Sequence, residues 1–310
     1  MYALFRKELA DHFDSLRFII IFALAMLLAG VSLYSALGGI QGAVSSGASG
    51  FVFLKLFVTS SGSIPSFASF LSLVGPLIGL LLGFDAINSE KSMGTLNRLL
   101  AQPIHRDDVI NGKFLAGLVV ITIIVLGMAL LVCGVGLFRI GIPPTGEEVM
   151  RLMVFLFFSI VYISFWLGLS ILLSTVSRHA ATSALSVVAV WLIFAFFISL
   201  IAAGLAGALY PPESYELVEK SAAFQMQFSR ISPSILYTEA IGTILDPTVR
   251  TLGITSFAQY EQLTGAVAGV LPMGQSLLLV WPHLIGMLAE TMAAFVIAYI
   301  VFMKQEIRGA

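Results

Sequence analysis

Glu290 lies near the middle of an apolar run that extends from Trp281 to Met303, and His283 precedes it by seven positions on roughly the same helical face. At bilayer depth a charged, unpaired carboxylate is costly, so this side chain must face the protein interior and be neutral or partnered. Two kinds of chemistry fit. One is substrate contact or proton movement through the pair; the other is a neutral glutamic acid bonded to a Ser or Thr of a neighbouring helix. A second apolar run carries Phe155, Phe158, Tyr162 and Phe165 at steps of three and four, with Trp166 adjacent. Such an aromatic face either lines a path for an apolar or amphipathic substrate or packs against other helices and lipid.

Catalytic signatures are absent. No P-loop of the form GxxxxGK[ST] occurs, because Gly112-Lys113 lacks both the upstream glycine and the following hydroxyl residue. Neither HExxH nor GxSxG occurs. Cys133 is the single cysteine and sits in an apolar run, which excludes a disulfide framework and a multi-cysteine metal site. Met226, flanked by Gln225 and Gln227, has no His or Cys company that would make a metal site. Glu147-Glu148-Val149-Met150-Arg151 falls in a connecting loop without histidine partners. The chain is expected to hold no metal and no catalytic residue of its own.

The elements that must position these residues are membrane helices. Of 310 residues, 58% are apolar and 11% charged, against about 25% charged in an ordinary soluble domain. With 16 Lys+Arg against 17 Asp+Glu the net charge is -1, which leaves no basic surface for nucleic acid. A bilayer core about 30 Å thick needs about 20 apolar residues per helix. Six runs qualify: Phe18–Leu37, Phe67–Ile87, Phe114–Phe138, Leu152–Val176, Ala184–Leu209 and Trp281–Met303. The sequence therefore predicts an all-α polytopic membrane protein, one transmembrane domain over 1–310, with both termini on one side. The segments on that side hold ten basic residues within 57 positions, and the opposite connections hold six across nearly twice as many. The positive-inside rule makes both termini cytoplasmic. The first run is read as a permanent helix, since it is longer than a signal h-region and follows mixed charges.

Ahead of it, Tyr2, Phe5, Leu9, Phe13 and Leu16 recur at helical spacing among Arg6, Lys7, Glu8 and Asp11. Residues 1–17 thus read as an amphipathic helix lying in the membrane interface, or as a short solvated lead-in to the first span. In the second run Gly75, Gly79 and Gly83 form a GxxxGxxxG ladder beside Pro76. Missing side chains let another backbone approach, in this chain or a second copy, or let the helix hinge. The segment 88–113 between spans two and three is the most informative. Leu96, Leu99 and Leu100 share one face of a short helix that opens near Gly94-Thr95 and stops before Pro103, with an Asp of Asp107-Asp108 placed to cap span three. That helix is too short to stand alone and too apolar on one side to stay solvated without a docking groove; the membrane surface or the chain's own helices could also cover it.

At these residues, Phe84 to Gly117, the chain resembles the permease subunits of ABC-2 type ATP-binding-cassette transporters, and most closely their NosY-like branch. The likeness extends to Arg6-Lys7-Glu8 in the N-terminal helix, to the span count, and to the tail Phe302-Met303-Lys304-Gln305-Glu306-Ile307-Arg308. The resemblance implies an exporter permease in a prokaryotic plasma membrane, with two copies forming the pathway. It also implies two separate ATPase subunits that bind ATP and Mg, with no cofactor on this chain. Glu90, Gly94, Thr95, Leu96, Arg98, Leu99 and Leu100 would then couple to the ATPase, the leucines docking and Glu90 and Arg98 fixing orientation. A rival from another class is a proton-coupled secondary carrier using Glu290 and His283, and a third is a non-transporting scaffold. One departure from the NosY-like pattern is the long connection 210–280. It reads as two short helices, Ser214–Phe228 and Pro233–Leu245, followed by a broken apolar stretch, Gly265–Val280, that suits a re-entrant or interfacial segment.

Overall fold

The structure, a computed structural model, describes residues 2–45, 51–60, 64–95, 105–249, 252 and 270–305. It is all-α. Among the described residues six helices are long and apolar enough to cross a membrane: Leu16–Gly39, Phe67–Ser92, Arg106–Ile140, Gly146–Val176, Ala180–Leu209 and Met273–Lys304, taken here as spans one to six. A separate helix, Tyr2–Phe13, precedes span one.

Spans three and four extend past their apolar runs because the added turns carry polar groups that have partners. Span four begins at Gly146 because Thr145 caps it. Thr145 Oγ1 accepts from the Glu148 backbone N–H while the Glu148 carboxylate accepts from that of Thr145, a reciprocal capping box. Span three opens eight residues before Phe114 at Arg106, with His105 at the cap position and Asp107 and Asp108 in the first turn, where carboxylates oppose the positive end of the helix dipole. The expected aspartate cap is therefore a first-turn pair instead. Span three stops at Gly141, whose φ of 72° is the left-handed conformation a side chain disfavours. Span six starts at Met273, just after Pro272. Residues 273–280, expected in a re-entrant segment, are thus its first two turns, and 265–269 lie outside the described residues. Span five contains one π-helical turn, Ile193–Phe197.

Span four is the hub, packing against spans two, three, five and six. Its most apolar window is 72% buried, whereas that of span five is 11% buried; the remainder of span five turns Leu185, Phe196, Leu200 and Leu209 outward. The glycine ladder of span two faces span four of the same chain. A Cβ at Gly79 would stand 2.7 Å from Trp166 Cβ and 2.8 Å from the Ile163 carbonyl oxygen, and one at Gly83 would stand 2.7 Å from Ser170 Cβ. At Gly75 the neighbours are Ile163 and Tyr162. Backbone contact of this closeness is how helices associate where lipid supplies no hydrophobic drive.

The two short helices of the long connection are present, as Tyr215–Ser229, capped by Ser214, and Pro233–Leu245. The second packs on spans two, four and six at the face opposite the termini.

Candidate functional site

On the terminal face the end of span two, beyond its main helix Phe67–Gly83, is bolted to almost every helix end around it. Its chain turns at residues 84–87 and continues as a short helix, Asn88–Ser92. The backbone N–H groups of Ile87 and Asn88 both donate to Ser174 Oγ near the end of span four, at 3.0 and 3.2 Å. Lys91 Nζ donates to the Thr175 carbonyl oxygen at 2.9 Å and to Gln305 Oε1 beyond span six. Gln305 is pinned in turn: its Nε2 donates to the Thr175 carbonyl, and its own carbonyl accepts from Arg106 at the start of span three. Asp85 pairs with Arg17 at the start of span one. Glu90 pairs with Lys113 of span three at 2.7 Å, and the same Nζ lies 2.8 Å from Glu8 of the N-terminal helix.

The segment then reverses at Gly94, φ 67°, with Thr95 Oγ1 donating to the Glu90 carbonyl. Of the residues singled out for docking, Glu90, Gly94 and Thr95 belong to this base, while Leu96, Arg98, Leu99 and Leu100 lie outside the described residues. That residues 85–91 meet the ends of spans one, three, four and six required the fold.

The N-terminal helix differs from its helical-wheel reading. Its buried positions are Leu4 and Glu8, while Tyr2 and Leu16 are exposed and Phe5, Leu9 and Phe13 are half-buried. Leu4 seats over Gly112 of span three. Because Glu8 has a buried cation to meet, the helix turns a charged position inward and leaves part of its apolar stripe facing out. Its last turn ends at Phe13, and Leu16 begins span one.

The aromatic stripe of span four is buried within the protomer. Phe155, Phe158, Tyr162 and Phe165 belong to the core, and Tyr162 stacks on Tyr237 with ring centroids 4.3 Å apart. Tyr162 Oη donates to the Ser72 carbonyl oxygen at 2.8 Å, and Tyr237 Oη lies 2.8 Å from Ser159 Oγ.

His283 and Glu290 go separate ways. His283 Nε2 is 2.7 Å from Glu239 Oε2, an oxygen that also accepts from Arg230 Nε at 2.8 Å. Burial pushes the Glu239 carboxyl up, but the hydrogen bonds from His283 and Arg230 outweigh it and hold its pKa below the ordinary carboxylate range. Glu290 Oε2 is buried and has no hydrogen-bond partner among the described residues.

A site the sequence reading passed over is Arg151. It is fully buried and donates to Glu147 Oε1, to the Ile244 and Leu271 carbonyls and to Ser276 Oγ, with Phe51 beneath its guanidinium. It ties spans four and six to the helix Pro233–Leu245 at the face opposite the termini. The signal available was an arginine four residues after Glu147 at a helix start; its remaining acceptors come from distant parts of the chain. No cluster of three or more metal-ligating side chains occurs among the described residues.

Comparison with known proteins gives the following. A family model described as ABC-2 family transporter protein matches residues 2–307. The chain is 36% identical over 140 residues to the probable ABC transporter permease protein NosY of Stutzerimonas stutzeri, covering 43% of this chain and 46% of that protein. It is 38% identical over 112 residues to the protein of the same name from Pseudomonas aeruginosa, covering 36% of each. The matched stretches thus span less than half the length of these relatives.

Proposed function

The chain belongs to the ABC-2 family of transporter proteins, and from that membership we propose that it is the permease subunit of an ATP-binding-cassette exporter. Two copies form the substrate path, and two separate ATPase subunits, which hold the ATP and Mg, sit beneath the terminal face. That face is the cytoplasmic one, because it carries the excess of Lys and Arg. The observation that carries the reading is the bolted base at the terminal end of span two. Ser174, Gln305, Lys113 and Arg17 tie residues 85–91 to spans one, three, four and six. A push on that segment reaches the whole helix bundle rather than one loop.

In this mechanism ATP binding draws the two ATPases together. The Gly94–Ala101 helix, docked by Leu96, Leu99 and Leu100, follows them and drags the base and the spans attached to it. The work done by this chain is mechanical, which accords with its lack of a nucleotide-binding motif. The proton-carrier reading needs His283 to pass a proton toward Glu290, and Glu239 and Arg230 hold that imidazole's environment instead.

The test is purification on a tag attached to this subunit, after gentle solubilisation of membranes expressing it with its neighbouring genes. A stoichiometric ATP-binding-cassette protein is expected, and Leu99→Asp is expected to lose it while the permease still inserts. Recovery of the chain alone in several detergents would overturn the proposal and make proton-driven flux with Glu290→Gln the next measurement.

A further inference from the structure

Lys113 is a buried cation shared by two carboxylates that come from opposite sides of it. Its side chain is 7% exposed, that of Glu8 8% and that of Glu90 12%. Glu8 belongs to the N-terminal helix, Glu90 to the base of the coupling segment, and Lys113 to span three between them. A cavity of about 360 Å³ lies at this level, lined on one side by Asp11 and His12 and on the other by Ser89 and Met93. The N-terminal helix and the coupling base therefore meet here across a void, and Lys113 is the strut across it. Leu4 over Gly112 supplies the other buried position of that helix, and half-buried Leu9 packs on the core beside it, so apolar contacts join the ionic one in placing the helix on span three.

A second feature marks the strut as more than surface charge. Glu90 Oε2 is buried without a hydrogen-bond partner among the described residues, although a buried polar atom is ordinarily satisfied. Loss of Lys113 leaves Glu8, which also has Lys7 at 3.5 Å, and Glu90 without their shared cation, and loss of Glu8 removes the ionic tie from the N-terminal helix to span three. Such an arrangement holds its partners in one geometry and resists sliding.

We infer that Glu8 and Lys113 are positioning residues of the coupling element, locking the N-terminal helix to the base of the coupling segment so that the two move as one body. The inference rests on the permease reading, since it is the ATPase that would move them. It makes the N-terminal helix a second lever arm rather than a float on the membrane surface.

The experiment uses the full chain in a Cys133→Ala background, spin-labelled through Ala3→Cys and Ser92→Cys, both exposed positions. In the chain alone, pulsed dipolar spectroscopy is expected to give one narrow distance distribution. Glu8→Gln and Lys113→Met are expected to broaden it at least twofold, and Lys113→Arg, whose fork can serve both carboxylates, to keep it narrow. In the complex with its ATPase, adding ATP and vanadate is expected to change a Ser92-to-Leu278 distance while leaving Ala3-to-Ser92 unchanged. An unaltered distribution in Glu8→Gln, or a nucleotide-dependent Ala3-to-Ser92 distance in the wild type, overturns the inference. Failure to recover any ATPase sinks the permease reading instead, and the measurement on the chain alone still decides whether the lock exists.

Discussion

At Gly79 the fold leaves no room for a single methyl group. The atoms a Cβ would meet include the Ile163 carbonyl oxygen and the Leu167 nitrogen, which are backbone and cannot swing aside. Gly79→Ala is expected to destabilise by about 1–3 kcal/mol through overpacking, whereas Gly134→Ala, which faces open space, is expected to be neutral or slightly stabilising. Thermal unfolding in one detergent compares them directly, and equal effects would refute the packing account. Arg151 is the opposite kind of residue, indispensable for what it reaches. Arg151→Met leaves the Ile244 and Leu271 carbonyls and Ser276 without their donor and is expected to cost about 3–5 kcal/mol, the scale of a broken buried charge network. Glu239, on the helix Pro233–Leu245, makes a pH prediction. Its folded pKa is the lowered one, so its contribution to stability is present above the unfolded value of about 4.3 and is lost as pH falls through the folded value. The stability gap between wild type and Glu239→Gln is therefore expected to persist from neutral pH down to about 4.3 and to close in stronger acid. A gap that widened in acid would contradict the pairing with Arg230 and His283.

Among the elements, what could be read in advance followed from periodicity and composition, and what could not followed from pairing. Six apolar runs and the two short helices of the long connection were visible because apolar content, Pro233 and Ser214 are local signals. The true helix starts at Arg106 and Gly146 were not, because an apolar run stops at charges, and the start at Met273 was not, because Pro272 and Gly274 break the apolar stretch there. Here Arg106, Glu148, Arg151 and Lys113 are all partnered, so the helices carry them inward. The glycine ladder announced a close approach but not its partner, which only the placement of span four reveals. In the candidate site, Gly94-Thr95 stood out locally as a helix opening, and Glu90 through the family resemblance. The strut through Lys113 to Glu8 joins positions 105 residues apart and leaves no trace in spacing. Ser174 gives an element-scale test. Ser174→Ala removes the acceptor for two buried backbone N–H groups and is expected to loosen the coupling base by about 1–3 kcal/mol, read as faster amide exchange at Ile87 and Asn88. Unchanged exchange there would mean that the base is held by its other bonds alone.

For the whole molecule, burial divides the bundle into a packed centre at span four, 72% buried, and less buried spans one, five and six, at 28%, 11% and 22%. If the basic terminal face is cytoplasmic, tags at both ends are expected to be cleaved by protease added to inside-out vesicles and spared in intact spheroplasts. The reverse pattern would place the coupling base on the wrong side for any ATPase. The partnership of spans two and four also bears on biogenesis. The groove of Gly75, Gly79 and Gly83 belongs to a helix made early, and the residues that fill it, Ile163, Trp166 and Ser170, are synthesised 87 or 88 residues later. Until then span two waits in the bilayer with its groove uncovered, and a nascent chain that stalls after Ile140 has spans but no hub. Quality-control proteases would meet that half-built form first, so translational pausing before span four should govern how much mature protein accumulates.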